Sequence, residues 1–402
     1  MKKIASLALL LATVGFAPQT AQRSDADLDG LLRTAVEQKR VPMVVALIAD
    51  ARGVAYEHAS GIPRDAIFAI ASMTKPITSV AVMQLVEAGQ VRLDEPAATY
   101  VPELGTVRVL DGGGLRRPKR PVTVRQLLSH TAGFGYEFSN RRIFELVAKK
   151  EIPSAMAGDD EFLQAPLLFD PGTQWEYGIN TDWLGRLVER VSGRSLEVYF
   201  REKIFDPLAM PDTFFNVPPD KQPRMAAAFQ RTKDGALTQQ PRQPAKPITF
   251  FSGGGGLYST PPDYLRFVRA LMAGGQLDGH RILSAESVAA MGRNQIGDLK
   301  VRPMPSLIPQ LITDGSLLPA VDNFGLGFGL NSTSAGTRRG VNTMSWAGVF
   351  NTFFWIDREK QVAAVLMTHM LPFMDPAART LLEQFDRAVY ASRVPTQDPP
   401  RF

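Results

Sequence analysis

Ser72 is followed three positions later by Lys75 in Ile70-Ala71-Ser72-Met73-Thr74-Lys75-Pro76, the only Ser-x-x-Lys in the chain. Residues three apart on a helix are neighbours, so a helix here sets the lysine amine beside the serine hydroxyl. A serine is a weak nucleophile until a base takes its proton, and an unprotonated lysine can be that base. The following residues predict such a helix: Ile77, Val80, Ala81, Val82, Leu85 and Val86 are apolar nearly all round, and Gly89 ends the run. Pro76 is tolerated only near a helix start, so the helix should begin close to Ser72. Ser72 then lies at the positive end of the macrodipole, which favours a neutral Lys75 and a developing oxyanion. The bland alternative is a serine that merely caps a buried helix.

Such a pair needs a further group to return the proton to a leaving alcohol. Trp175-Glu176-Tyr177-Gly178-Ile179-Asn180 precedes a helix expected over 181–191, with Leu184, Leu187, Val188 and Val191 as its stripe and Gly193 as its stop. Tyr177 therefore falls in a loop near a helix start. A lysine beside a tyrosine favours its phenolate, which can act as a general base. Read alone, Tyr177 is a packed aromatic and Asn180 the N-cap of that helix. Ser345-Trp346-Ala347-Gly348-Val349 has strand character, with Gly348 where a ligand could approach the backbone. Such an edge could supply the Val349 amide as a second oxyanion donor beside that of Ser72; the bland reading is a strand with a space-saving glycine.

Other candidates fall away. The run Gly253 to Gly256 lacks the lysine and strand-turn-helix setting of a phosphate cradle. His58, His130, His280 and His369 are too dispersed for a zinc motif. Without a Gly-x-Ser-x-Gly elbow, a Ser-His-Asp site has no support.

The elements that must position these residues can be read in order. Residues 25–39 form an amphipathic helix with Leu28, Leu31, Leu32 and Val36 on one side. Residues 42–50 and 54–58 are two strands joined by Ala51-Arg52-Gly53 as a hairpin. Residues 97–247 are helix-rich with little strand character. Residues 223–247 and 296–322 read as long surface loops, the kind that often wall or cover a pocket. Strands return at 324–330, 352–356 and 362–367, the last two separated by the charged turn Asp357-Arg358-Glu359-Lys360. A closing helix faces inward with Ala378, Leu381, Leu382, Phe385 and Val389. Strands at both ends around a helical middle predict one sheet built from both termini with a helical insertion. The expected division is a leader over 1–22, a sheet domain over 23–66 and 248–402, and a helical domain over 67–247.

The 402 residues suffice for two lobes, and the composition, 45% apolar and 21% charged, is that of a globular protein. Lys2 and Lys3 precede an apolar run from Ile4 to Phe16, with small residues near Ala17 and Ala21. This is the pattern of a secretory signal, too short and too early for a membrane span. Its removal takes two lysines and no acid, lowering the net charge from +5 to +3. That balance does not point to nucleic acid as a partner, and Arg116-Arg117-Pro118-Lys119-Arg120 reads as a solvated hairpin. Zero cysteines exclude disulfides and thiol catalysis. A periplasmic or secreted location is expected.

Ser72-Met73-Thr74-Lys75, Tyr177 ahead of Asp182-Trp183-Leu184-Gly185, and Trp346-Ala347-Gly348 together resemble the three motifs of serine β-lactamase-fold hydrolases. The chain is most similar to the class C β-lactamase-like family VIII carboxylesterases. Leu93-Asp94-Glu95-Pro96, Leu128-Ser129-His130-Thr131-Ala132-Gly133, Gly253 to Thr260 with Asp263-Tyr264, and Phe324 to Gly329 agree in order. The resemblance implies an α/β (α+β) fold of the β-lactamase/transpeptidase-like kind. An antiparallel sheet flanked by helices would pair with an all-helical domain, and the site would lie between them. It implies Ser72 as acylated nucleophile, Lys75 as its base, Tyr177 as proton shuttle, and the Ser72 and Val349 amides as oxyanion donors. Trp346, Ala347, Gly348 and Asn180 would contact substrate, with no metal or organic cofactor.

Two departures bear on substrate. The third motif generally carries a lysine that holds a substrate carboxylate, and Trp346 stands in its place. Losing a charge-assisted contact costs roughly 1.5–3 kcal/mol, about ten- to a hundredfold in binding. The second motif of true class C enzymes is Tyr-x-Asn, whereas here the asparagine comes one residue late. Both favour an uncharged ester over a β-lactam. The expected function is hydrolysis of short-chain carboxylic esters through an acyl-enzyme on Ser72, with a small-molecule ester as partner. The alternative is a β-lactamase or D-amino-acid-specific peptidase; a non-catalytic sensor of the same fold is opposed by the intact catalytic residue types.

Overall fold

The computed structural model describes residues 19–241, 247–315, 318–334 and 338–393. The leader expected over 1–22 therefore lies outside the described residues as far as position 18. Gln19 already belongs to the first helix, α1 (Gln19–Glu37). Two strands follow, β1 (Val44–Asp50) and β2 (Gly53–Ser60), joined as the expected hairpin. The helical half then supplies α2 (Thr74–Glu87) and α3 (Asn180–Ser192). Next comes α4 (Pro261–Met272), which starts where Thr260 caps the Asp263 amide ahead of two prolines.

The chain then returns to the sheet through β3 (Asn323–Phe324), β4 (Gly329–Leu330), β5 (Met344–Gly348), β6 (Thr352–Asp357) and β7 (Val362–Met367). It closes with α5 (Pro376–Arg393). The seven strands run in the order β3-β4-β5-β6-β7-β1-β2, every pairing antiparallel. The sheet is thus assembled from both ends of the chain, β1 lying against β7, as the strand pattern predicts.

Neighbouring strand residues point to opposite faces, and both faces of this sheet are covered. Trp355 of β6 meets Phe385 of α5 edge to face, while Phe354 meets Tyr264 of α4 on the other side. α1 packs on α5 and β2, and α4 on β1, β6 and β7. That explains why residues 353–356 of β6 and all of β7 form unbroken apolar runs rather than alternating, with every residue of both strands buried. The buried residues of the sheet and of α2 and α3 form one continuous apolar cluster.

Two expectations need correction. Residues 223–247, read as a loop, contain a small hairpin (Phe229–Arg231 with Leu237–Gln239), and its first strand runs parallel to Met370–Leu371. A second hairpin lies at Val109–Asp111 and Gly114–Arg116. Strands of two or three residues are too short to show a period. The charged turn after β6 lies where expected, and Asp357, which ends β6, is buried and accepts from the Gly340 and Lys360 amides and the Tyr390 hydroxyl. No helix among the described residues is long and apolar enough to cross a membrane.

His369, just beyond β7, ties the sheet to the strand preceding Ser72. Its Nε2 accepts from the Ala69 amide at 3.3 Å, and its Nδ1 faces the Ala227 carbonyl at 3.1 Å. Burial pushes its imidazole down to about 4, the Ala227 carbonyl only partly opposing this. An unfolded chain takes up that proton near 6.5. The unfolded state therefore binds more protons between those values, and the stabilisation present above 6.5 is lost as pH falls toward 4, by about 3 kcal/mol. The His369 φ of 56° is one that asparagine tolerates. Urea unfolding of wild type and His369→Asn should show the wild type losing about 2 kcal/mol more between pH 7 and 4.5; parallel pH dependences would refute the assignment.

Candidate active site

Ser72 sits in a single tight turn, Ala71–Met73, that runs directly into α2. Ala71, the residue before it, has a φ of 43°, a left-handed conformation that costs a non-glycine residue on the order of 1 kcal/mol. The surroundings hold it there. The Ile70 amide donates to the Leu257 carbonyl at 3.0 Å, and the Tyr264 hydroxyl to the Met73 carbonyl at 2.9 Å. Ser72 is in the first turn, where a backbone N–H has no intrahelical acceptor, so its amide is available to a ligand.

The Lys75 Nζ lies 3.3 Å from Ser72 Oγ, as the three-residue spacing predicts. It also donates to the Tyr136 hydroxyl at 3.1 Å and to the Gly254 carbonyl at 2.7 Å. The Tyr177 hydroxyl donates to Ser72 Oγ at 2.7 Å. Ser72, Lys75 and Tyr177 thus meet at one oxygen, although Tyr177 is 105 positions away from Ser72. The Tyr177 ring is held by aromatic neighbours: Tyr136 at 5.1 Å, His130 at 5.2 Å and Trp346 at 5.3 Å between centroids. The Lys75 Nζ lies 4.8 Å from its ring centroid, within cation–π range.

Trp346, Ala347, Gly348 and Val349 line a cavity of about 50 Å³ together with Ser72 and Tyr177. β5 ends at the Gly348–Thr352 pair, so the Val349 amide lies just past the ladder. Gly348 is required by packing, because a Cβ there would fall 2.3 Å from the Ile70 carbonyl oxygen. The strand therefore presses against the backbone that carries Ser72.

Asn180 is placed differently from expectation. It does not cap α3: the N-cap is Ile179, with no side-chain cap bond, and Asn180 is the first helical residue. Its side chain is fully buried and its Nδ2 faces His130 Nδ1 at 2.8 Å, away from the residues that line the cavity. The cause is Gly178, whose position leaves no room for a side chain: a Cβ would lie 2.2 Å from the Phe134 carbonyl oxygen. The chain passes this point pressed against Phe134, and the asparagine one residue late is carried into the helix. Burial, and next the Lys75 charge, push the His130 imidazole well below its usual range. It is a neutral packing partner of Tyr177, not a base.

No motif points to Tyr136, and Asp182 enters only with the run Asp182-Trp183-Leu184-Gly185. Tyr136 donates toward Asp182 Oδ2 at 3.4 Å, and Asp182 Oδ1 accepts from the Ser252 hydroxyl at 2.6 Å and the Gly254 amide at 3.0 Å. One buried carboxylate thus fixes both the phenol and the peptide that hold Lys75. Burial, with the Asp182 charge next, holds the Tyr136 phenol well above the usual tyrosine range, so it stays an O–H donor. The alternation Tyr136-Glu137-Phe138 was the available signal, since it puts Tyr136 and Phe138 on one face, and both rings pack near Tyr177. Among the described residues no cluster of His, Cys, Asp or Glu is arranged to hold a metal.

Residues 28–387 match the family model described as Beta-lactamase. The chain is 29% identical over 410 residues to the monacolin J acid methylbutanoyltransferase of Aspergillus terreus, covering 90% of this chain and 95% of that one. It is 28% identical over 393 residues to the lovastatin esterase of Penicillium rubens, covering 90% and 98%. Among solved structures, unliganded simvastatin synthase from Aspergillus terreus superposes with a TM-score of 0.79 at 27% identity, over 93% of this chain and 99% of that one.

Asp182→Asn tests the buried network. An amide would turn a second N–H toward the Gly254 amide and leave that buried donor without an acceptor. A buried donor left unsatisfied costs about 1–3 kcal/mol, more where a charged acceptor is lost. A loss of that size in urea unfolding, with ester hydrolysis reduced by at least about a hundredfold, is the expected outcome; unchanged stability and activity would show that Asp182 does not hold the site.

Proposed function

We propose that this chain, which belongs to the beta-lactamase family, is an exported carboxylesterase that forms an acyl-enzyme on Ser72 with small uncharged esters. The observation that carries this is the cavity over Ser72. It is walled by Trp346 and other apolar side chains, and among the described residues no lysine or arginine lines it. A substrate carboxylate would lose its hydration there without gaining a cation, whereas an ester loses nothing comparable. That weighs against a β-lactam or peptide carboxylate as the preferred substrate.

The reaction follows from the Ser72, Lys75 and Tyr177 side chains and the Ser72 and Val349 amides. With the ester carbonyl in the cavity, the Ser72 and Val349 amides donate to the oxygen that becomes negative. Ser72 Oγ bonds to the carbonyl carbon while its proton passes to the unprotonated Lys75 amine 3.3 Å away. As the carbon–oxygen bond to the alcohol breaks, the Tyr177 hydroxyl delivers a proton to the departing oxygen and is reprotonated from Lys75. Its place 2.7 Å from Ser72 Oγ and beside Lys75 suits that relay. Water then enters where the alcohol left and the steps reverse, releasing the acid.

An alcohol can take the place of that water, giving a transesterase with the same residues. The relatives named for methylbutanoyl transfer and for a lovastatin esterase support both outcomes of one acyl-enzyme. Export is supported by Lys2 and Lys3 ahead of the apolar run from Ile4 to Phe16.

Purified protein should hydrolyse p-nitrophenyl butyrate, and Ser72→Ala should retain less than about a thousandth of that rate. Nitrocefin should be cleaved at least about a hundredfold less efficiently than the ester. Equal ester rates from both proteins, or nitrocefin as the better substrate, would sink the proposal. Export predicts that intact-mass analysis of protein from a bacterial periplasmic fraction shows the first 17 or 21 residues removed.

A further inference from the structure

The charge of the chain is not spread evenly. Residues 106–151 carry ten lysines and arginines against four acids, a surplus of six, while the whole chain carries +5. The fold gathers part of this surplus along one groove. One wall is the hairpin of Val109–Asp111 and Gly114–Arg116, the other the helix Arg141–Ala148. Arg108, Leu115, Arg142 and Lys149 all line it.

Most of these cations are unspent. Arg116 is paired with Asp111 and Asp170, and Arg125 with Asp94. Arg117, Arg120, Arg141, Arg142, Lys149 and Lys150 are exposed, and none forms an ion pair among the described residues. The acids facing them are fewer. Glu145 and Glu151 lie on the groove, whereas Glu103 on the same wall is paired with Arg190, and Glu137 is buried against the Ser154 hydroxyl.

The hairpin adds an apolar point to this field. It turns through Gly112 and Gly113, whose φ of 52° and 97° are left-handed. A Cβ on either would meet nothing within 4 Å, so the tip stands clear of the protein. Leu115, beside the tip, is 62% exposed. A projecting leucine among unpaired cations suits a lipid surface, where the side chain enters the acyl boundary and the cations meet headgroup phosphates. It suits nucleic acid poorly. Trp183, the aromatic ring on the groove wall, is 5% exposed and offers bases no platform on which to stack.

We propose that this face docks the protein on an anionic lipid surface, with Arg142 and Lys149 against headgroup phosphates and Leu115 inserted between them. The helix that carries Arg142 starts three residues after Phe138, which lines the cavity over Ser72. Docking therefore holds that cavity beside the phase in which small uncharged esters dissolve. The docking itself does not depend on the chemistry at Ser72.

Co-sedimentation tests it, with vesicles of phosphatidylcholine alone or with about one-third phosphatidylglycerol. Wild type should bind the mixed vesicles at least about tenfold more tightly, and binding should fall steeply as salt rises from about 50 to 300 mM. Each cation removed from a lipid surface costs roughly fivefold, so Arg142→Ala with Lys149→Ala should weaken binding about twentyfold. Leu115→Ser should weaken it about tenfold. Lys203→Ala with Arg281→Ala removes two exposed cations from a separate groove and should bind as wild type does.

Equal binding to neutral vesicles, no binding at low salt, or equal losses from the two double variants would overturn the proposal. So would tight binding to polyglutamate that Leu115→Ser leaves unchanged, which would assign the face to a soluble acidic partner. Unchanged urea midpoints show that the exposed substitutions spare the fold, and Arg142→Gln with Lys149→Gln replaces the alanine pair should its midpoint fall. All variants share one N-terminus, so the apolar run from Ile4 to Phe16 adds equally to each.

Discussion

The Lys75 amine is 2% exposed, and its place among three oxygens governs the rest of the molecule. Burying a cationic or amine group without partners is costly, and these partners come from three separate parts of the chain. Ser72 lies one helical turn away, Tyr136 is 61 positions on, and the Gly254 carbonyl 179 positions on. Displacing any one of them leaves a buried donor unsatisfied, at about 1–3 kcal/mol. Asp182 links two of the three by accepting from Tyr136 and from the Gly254 amide. The same hydrogen bonds therefore hold the helical half together and aim the amine at the serine, so stability and reactivity are coupled.

The sheet contributes the other constraint. β5 presses Gly348 against the Ile70 carbonyl, while Leu257 and Tyr264 hold the turn from the opposite side. Between them Ala71 is kept in a conformation it would not choose in a free chain. The consequence is geometric. Ser72 is presented at the start of α2 with its amide unspent, facing the strand end that carries Val349. Neither half of the molecule makes that arrangement alone, and the single core shared by sheet and helices keeps the two sides in register.

What could be read from the sequence was what is local or periodic. Lys75 beside Ser72 follows from a three-residue step on a helix. The sheet from both termini follows from the apolar runs of β1, β6 and β7, and α5 from its inward stripe. Tyr177 came through the company of motifs rather than through its own surroundings. Asn180 shows where local reasoning fails. An asparagine ahead of an amphipathic run is a good cap on propensity, but the contact of Gly178 with Phe134, more than forty positions earlier, shifts it into the helix. Asp182 was visible only within a motif and Tyr136 only through its alternation with Phe138; that the two meet depends on how the loop at 136 folds over α3. The segment 296–322 was legible only as a long loop. Its Leu307 amide donates to the Phe138 carbonyl and its Thr313 amide to the Phe373 carbonyl, backbone bonds that leave no trace in side-chain type.

Trp346 is more than a missing lysine. Its ring stands 5.3 Å from that of Tyr177 and 5.3 Å from that of Phe324, and Phe324 in turn lies 5.2 Å from His130. The aromatic group that walls the cavity is thus the one that keeps the Tyr177 hydroxyl on Ser72. A lysine in its place would remove that support, and its charge would lose hydration in an apolar cavity. The aromatic cluster that walls the cavity therefore also holds the hydroxyl that meets Ser72 Oγ. A single substitution at 346 would disturb that contact together with the wall.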